Sequence, residues 1–531
     1  MKGGSGLSQG GMHPTSDFPE NRSLSAQESI FNCLIYIENV YNVYEWCFDF
    51  IINSNRMVGI TDIESGGLLL SRTLVTVDNI ASEIQITSLG IQVRPLRDAD
   101  IPSRHSWKTL PFAEVLSVKR TRNAILLHTF RRDTRESSKW YPKSITIDFG
   151  SKVSEKECML KVVQDELNSL PYRPKRLLFF INPVSGSKQA TYRYARYIEP
   201  FFKLADITCD VVETKEFGVD SCCQIAQVVS NIRDSKVSYD GIIGVGGDGL
   251  CTKIVNVCSD VFEKEGDIQL SPIRLGHIPC GSTDALCSSV HGTRSMFTSM
   301  MHIALGDTMK LDALEITLDG EHKKHSVCII TCGFMADVIR FSDSMRILGP
   351  FRYDIAGFIK LAQNKAYTCT VRYIEAKMGK QFDALECTST CPRCMHGSQE
   401  RVCTSAIQDW KEREPQEYMS IMVLNTACIS DKSTLGMYKY GHLADGCGYL
   451  VMVKKCSALH YLQFLLCMSK FGLGRYNDTY VEVIPVFQTE IVSNESNALY
   501  WNLDGELELA SNISVSSHSG SVPFFGRGVE V

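Results

Sequence analysis

The spacing of apolar residues changes character three times along the chain. Residues 1–28 are rich in Gly, Ser and polar side chains and are expected to form a disordered tail. The run "IFNCLIYIENVYNVYEWCFDFII" that follows is apolar but interrupted by Glu38, Glu45 and Asp49. Charges there are expensive in hydrocarbon, so a buried helix or strand is expected rather than a membrane span. From about 55 to 168, "LLLSRTLVTV", "EIQITSLGIQV", "AILLHTF" and "SITIDFG" alternate or are β-rich between polar turns, predicting antiparallel strands. "SEKECMLKVVQDELNSL" then has helical spacing. Strands followed by one helix predict a small β-barrel capped by that helix, and the prolines of "SLPYRPKR" predict a linker.

From 176 to about 290 the pattern becomes continuous apolar runs ("LLFFI", "ITCDVV", "GIIGV", "IRLGHI") alternating with helical segments. That is the signature of a parallel sheet covered on both faces. Beyond 308, β-rich runs return, from "LDALEITL" to "YVEVIPVF", with one helix around "HYLQFLLCMSK", predicting a second, mainly antiparallel domain.

Length and charge change this picture little. A chain of 531 residues suits roughly three domains. The net charge of −5 gives no support for a nucleic-acid partner. The 21 cysteines, in a chain whose start lacks a charged then apolar leader pattern, predict a reducing, cytoplasmic setting. Lys2 stands where myristoylation needs glycine, so any membrane contact is expected to be peripheral.

Ligands of open α/β sheets bind outside the carboxyl ends of the strands. Three loops fall there: "INPVSGSK" with Gly186, "GGDG" at 246–249 and "PCGSTDAL" at 279–286. The first lacks the leading glycine of a Walker A loop. The second, read as Gly244-x-Gly246-x-x-Gly249, resembles a dinucleotide fingerprint, but that motif belongs to the first βα turn and has its acid on the next strand. Here the motif follows the third strand, and Asp248 lies inside it. A phosphotransferase explains the residues better, with glycine amides holding phosphates while Asp248 accepts the proton of an attacking hydroxyl.

"INPVSG", "GVGGDG", "IPCGSTDAL", "GFMADVIRFSDSMRILGPFRYD", "HLADG" and "WNLDGE", in this order, resemble the catalytic region of the diacylglycerol, sphingosine and ceramide kinases, from 176 to the chain end. Within that family, Cys387-x3-Cys391-x2-Cys394 resembles the cysteine motif of the ceramide-kinase members. The resemblance implies a multidomain α/β plus β protein. Its parts would be a pleckstrin-homology-like barrel with its C-terminal helix (29–168), an α/β nucleotide-binding domain (169–306) and an antiparallel β-sandwich (307–531) that completes the cleft. It implies ATP with Mg²⁺, Ca²⁺ being the alternative, and ceramide as acceptor, with sphingosine or diacylglycerol as runners-up.

The same resemblance places Asn182, Pro183, Val184, Thr214, Gly281, Ser282 and Thr283 at the nucleotide, Arg346 and Arg352 on its phosphates, and Asp504, Gly505 and Glu506 beside it. Gly246, Gly247, Asp248 and Gly249 would meet the lipid hydroxyl, and Asp337 would hold the lipid's polar head.

The chain also departs from the family. Lys253 stands where the family has Glu, and "TKEFGVD" replaces "TExxxHA". Lys253 is expected either to neutralise phosphate or to mark a weakly active, lipid-binding scaffold. The three cysteines lack a second C-x2-C pair, with His396 and Cys403 the nearest candidate ligands, and loop thiols are the plainer reading. Lys119, Arg120, Arg122, Arg131, Arg132, Arg135, Lys139 and Lys143 form a candidate patch for an anionic membrane surface. On this reading the N-terminal domain supplies a membrane address rather than chemistry.

Overall fold

The structure, a computed structural model, describes residues 69–96, 107–185, 188–215, 219–235, 237–262, 269–348, 351–377, 384–395, 409–475 and 479–530. The chain divides into two compact units, Met1–Arg56 and Met57–Val531, and all the described residues belong to the second. The expected tail, the apolar run at 30–52, Gly186, His396 and Cys403 lie outside them.

Strands β1 (Leu69–Val77), β2 (Ile80–Thr87), β3 (Gly90–Pro95), β4 (Lys108–Pro111), β5 (Ser117–Arg120), β6 (Ala124–Arg132) and β7 (Trp140–Asp148) form one antiparallel sheet, ordered β4-β3-β2-β1-β7-β6-β5. Alternation puts Ile84, Ile86, Ile125, Leu127 and Ile147 on the inner face, where helix α1 (Val153–Ser169) adds Met159, Leu160 and Val163. The two four-residue strands, β4 and β5, have too little alternation to be read from sequence. Lys156 of α1 is buried, and its ammonium donates to the carbonyls of Thr121 (3.2 Å) and Arg122 (2.9 Å). The segment expected to be a linker is fastened down, because Arg173 donates to the carbonyls of Leu116 and Phe112, both at 3.0 Å.

Strands β8 (Arg176–Ile181), β9 (Thr208–Glu213), β10 (Gly241–Gly246) and β11 (Arg274–Pro279) are parallel, in the order β11-β10-β8-β9. They read as continuous apolar runs because both faces are covered. Leu178, Phe180 and Ile242 pack with residues of α2 (Val219–Asp234) and α3 (Asp248–Phe262), while Phe179 meets Phe202 and Tyr194. Helices α4 (Ala285–His291) and α5 (Met296–Leu305) follow β11. The chain steps outward from β8 to β9 and returns across β8 to β10. The crossover direction therefore reverses between β8 and β10, which makes their carboxyl ends the expected ligand crevice.

The remaining strands are β12 (Met309–Leu318), β13 (His322–Ser326), β14 (Ile329–Gly333), β15 (Tyr367–Glu375), β16 (Trp410–Leu424), β17 (Gly448–Lys454), β18 (Val481–Ser493), β19 (Leu499–Leu503), β20 (Glu506–Ala510) and β21 (Asn512–Phe524). They pair antiparallel among themselves. Helices α6 (Phe334–Ser342), α7 (Phe351–Gln363) and α8 (Ala458–Phe471) accompany them. At its end β21 pairs parallel with β11 through Leu275 and Phe524, so hydrogen bonding runs unbroken from one lobe into the other.

The antiparallel strands begin at Met309, just after the expected boundary at 306/307, but the chain end does not stay with them. The last residues return to the α/β lobe, where the Phe525 ring lies so close to Gly241 that a Cβ there would meet it at 2.4 Å. The first sheet is joined to this lobe as well. Trp140 is fully buried, stacks on Phe130 at 3.9 Å, lies 4.2 Å from the His302 ring of α5, and donates its backbone N–H to Thr298 (2.9 Å). Arg132 adds an ion pair to Glu530 at 3.0 Å. Deleting residues 1–168 would strip this face, so the first sheet has a structural role beyond any membrane address.

Candidate active site

Backbone hydrogen bonds lock three loop bases together at the β8/β10 crevice. Asn182 N–H donates to Val245 O (3.1 Å), Thr214 N–H to Ile181 O (2.8 Å), and Cys280 N–H to Gly246 O (2.8 Å). The Asn182 side chain accepts from Val184 N–H (3.2 Å), a turn that holds Pro183 and Val184 half-buried. Gly281 and Gly247 approach so closely that a Cβ on Gly281 would lie 2.6 Å from the Gly247 Cα. Glycine is required at 281 for that contact, which brings the second and third loops face to face, with Ser282 and Thr283 exposed at the rim.

Asp248 begins α3 beside this contact. Its two carboxylate oxygens accept the N–H groups of Ala285 (2.8 Å) and Leu286 (3.0 Å) from the first turn of α4. The oxygens are thus oriented, and each keeps a lone pair. Burial pushes the Asp248 carboxyl above its ordinary range and Asp284 adds to this, against the opposing pull of His277 and the two amides.

His277 lies beneath, fully buried on β11, with Nε2 donating to Gly246 O at 2.9 Å. Burial lowers its pKa, but Cys251, Asp284 and Asp248 outweigh that and raise it to about 10. The result is a cation under two carboxylates. Asp284 is fully engaged, accepting Gly281 N–H (2.9 Å) and pairing with Arg294 (3.2 Å), which in turn reaches Asp431. His277, Arg294 and Asp431 were not singled out from sequence. A histidine inside the apolar run "IRLGHI" was a usable signal; Arg294 and Asp431 offered none.

Other expected site residues sit differently. Thr214 spends its hydroxyl on Ile181 O (3.2 Å). Asp504, expected at the nucleotide, is 6% exposed and both its oxygens are occupied. They accept from Ser326 and Thr252 hydroxyls and from the N–H groups of Val327, Cys328 and Ile329, at 2.6–3.1 Å. Asp504 therefore clamps the β13–β14 turn to α3 and has no oxygen left to face a ligand. The DGE segment still borders the site, since Gly249 lies against the Asp504 carbonyl and the Glu506 carboxylate.

Lys253 and Glu506 pair with each other at 2.9 Å, so neither stands alone toward a phosphate, and the charge reversal at 253 is answered within the site. The pair is partly exposed, and its loss is expected to cost about 0.2–1 kcal/mol. Lys253→Glu should lower stability or raise the KM for ATP slightly, and adding Glu506→Lys should restore both. Absence of rescue by the swap, read by denaturation and steady-state kinetics, would remove the pair from the account.

Asp337 and Arg352 are not drawn to the glycine loops by any described contact. Asp337, in the first turn of α6, is buried and accepts from the Tyr367 hydroxyl (2.6 Å). Arg352 donates to the Tyr353 hydroxyl and stacks on that ring. The Arg346 side chain lies outside the described structure.

Residues 176–316, which span all three loops, match the diacylglycerol kinase catalytic domain. Over 459 residues the chain is 28% identical to a ceramide kinase of Homo sapiens, covering 77% of this chain and 83% of that one. The ceramide kinase of Mus musculus matches at the same identity, over 84% of its length. The chain is thus similar to ceramide kinases over about three quarters of its length, and its α/β lobe matches the diacylglycerol kinase catalytic domain. A crystal structure of a diacylglycerol kinase from Bacillus anthracis str. Sterne covers 67% of this chain and 99% of that one at 12% identity, with a TM-score of 0.44, too loose a likeness to carry an argument. In this chain the oriented Asp248 and the paired glycine loops share one crevice, and Glu506 and Lys253 close its side.

Proposed function

We propose that this chain transfers the γ-phosphate of ATP to the primary hydroxyl of ceramide, giving ceramide 1-phosphate and ADP. The observation that carries this reading is Asp248, held by two α4 amides at the mouth of two touching glycine loops. Asn182–Ser185, Gly246–Gly249 and Gly281–Thr283 would cradle the triphosphate through backbone N–H groups. Asp248 takes the hydroxyl proton as the acceptor oxygen bonds to phosphorus and the bond to the ADP oxygen breaks. His277 lies below with its positive charge, which favours the carboxylate form that Asp248 needs in order to accept the proton.

The ligand atoms of Asp248, His277 and Asp284 lie within 4.8 Å of one another. Gly281 N–H, Arg294 and the Gly246 carbonyl already engage Asp284 and His277, so this group does not suit a resident divalent ion. The cation, proposed to be Mg²⁺, instead arrives on the nucleotide as substrate.

Apolar surface supports a lipid acceptor. Phe351, Ile355 and Phe358 of α7 and Leu459, Leu462 and Leu466 of α8 are exposed at helical spacing. Asp354 of α7 pairs with Lys432, next to the Asp431 that Arg294 holds, linking α7 to the nucleotide loops. Initial rates with ceramide, sphingosine and diacylglycerol in mixed micelles test the assignment. Ceramide should be preferred, and a preference for either other lipid would move the chain to that activity.

The first sheet with α1 is proposed to be a pleckstrin-homology-like module for an anionic membrane surface. Among the described residues no helix is long and apolar enough to cross a membrane. Three members of the expected basic patch are engaged elsewhere: Lys119 with Asp206, Arg120 with Glu157 and Arg132 with Glu530. Exposed Arg122 and Arg135 are the better candidates, each worth about 1 kcal/mol near such a surface. Arg122→Glu with Arg135→Glu should weaken binding to anionic vesicles, most clearly at low salt. Binding that ignores both changes and salt would contradict an electrostatic contact.

A further inference from the structure

The short stretch 384–395 lies far from the glycine loops in sequence and carries Cys387, Cys391 and Cys394. The fold brings His442, 48 residues after Cys394, to meet them. Cys387 Sγ is 3.5 Å from Cys394 Sγ, and His442 Nδ1 is 3.3 Å from Cys391 Sγ and 3.9 Å from Cys394 Sγ. All four ligand atoms lie within 4.8 Å of one another. Cys387, Cys391 and His442 are buried and Cys394 is half-buried.

Tetrahedral zinc has Zn–S near 2.3 Å and Zn–N near 2.0–2.1 Å, which sets S···S edges of about 3.8 Å and S···N edges of about 3.6 Å. The three distances straddle these edges, so one tetrahedral ion is within reach of all four donors. We propose that Cys387, Cys391, Cys394 and His442 form a closed structural zinc site. Three thiolates and one imidazole are a soft donor set that favours zinc over the hard, oxygen-seeking cation that accompanies ATP.

The neighbourhood is built to hold the ligands still. His442 N–H donates to the Tyr449 hydroxyl (3.2 Å), Tyr449 donates to Asp445, and Arg393, between two of the cysteines, pairs with Asp445 at 2.7 Å. Cys387 O accepts Val529 N–H (3.0 Å), and Ser389 N–H donates to Arg527 O (2.7 Å). Gly528, at φ +87, runs so close that its Cβ would lie 2.2 Å from Cys387 O. Beyond His442, Leu443 O accepts Asp312 N–H, while the Asp312 carboxylate accepts Gly446 and Gly520 N–H. The metal would thus tie the 384–395 segment to the 442–446 turn and to the chain end, where β12 and β21 pass from one lobe to the other. Its role is to brace the lobes, without touching either substrate.

The full-length chain, purified reduced and free of loosely bound metal, should contain about one zinc per molecule by elemental mass spectrometry. Exchange for cobalt should give thiolate-to-cobalt charge-transfer bands and the visible absorption of a tetrahedral thiolate-rich ion. His442→Ala and Cys391→Ser should lose the metal, whereas His442→Cys, which restores a fourth soft donor, should keep it. Because the losing variants risk misfolding, the wild-type zinc content and cobalt spectrum stand as the independent readout. Folded, reduced wild-type protein with neither zinc nor cobalt–thiolate bands would overturn the proposal, as would a Cys387–Cys394 disulfide in its place.

Discussion

Asp248→Asn should lower ceramide phosphorylation by about 10²–10⁴-fold while the chain stays folded and binds ATP. The amide keeps the shape of the carboxylate and one acceptor oxygen for the α4 amides, but it cannot take the proton of an attacking hydroxyl. Stability should not suffer much. A carboxyl whose folded pKa lies above its unfolded value opposes folding once the pH exceeds the unfolded pKa, so a neutral side chain removes that cost.

The same shift sets the sign of the pH dependence. The base works only as a carboxylate, so kcat/KM should fall as pH drops through a limb placed above the ordinary aspartate value of about 3.9. The asparagine variant should lack that limb. Near-normal turnover by Asp248→Asn, measured beside unchanged ATP binding, would remove Asp248 from the chemistry.

Asp504→Asn is expected to act on stability instead, costing about 1–3 kcal/mol for each buried donor left without an acceptor. Five donors converge on this carboxylate from β13, the turn before β14 and α3. An amide nitrogen would turn N–H toward N–H on one side and leave those donors buried without acceptors. The denaturation midpoint should fall sharply, and any loss of turnover should follow the fraction unfolded. A variant of unchanged stability but raised KM for ATP would make Asp504 a nucleotide ligand after all.

These two residues show what the sequence could reveal. The parallel strands were legible because full burial writes itself as "LLFFI" and "GIIGV", and strand order then places the crevice without further information. Asp248 could be singled out because it stands among three loops at strand carboxyl ends, and the fold sets its carboxylate on the first amides of α4.

Asp504 stands in an equally recognisable motif, but its role depends on donors from residues 252 and 326–329, a non-local convergence that spacing does not encode. The Lys253–Glu506 pair is similar, since a charge reversal at one site cannot be judged until its partner, 253 residues away, is known. His442 is hidden for the same reason, because ligand spacing is local and this fourth donor comes from another loop. The short strands β4 and β5, and the return of Phe525 to the first lobe, depend on tertiary contact rather than on local pattern.

Phosphoryl transfer to a lipid hydroxyl is proposed for the β8/β10 crevice. It is tested most directly by following label from γ-labelled ATP into ceramide with the purified full-length chain in mixed micelles. The rate should saturate in both substrates and depend on a divalent cation, with ADP and ceramide 1-phosphate formed in equal amounts. Folded, ATP-binding protein that leaves ceramide unlabelled above the protein-free control would contradict it and make the chain a lipid-binding scaffold.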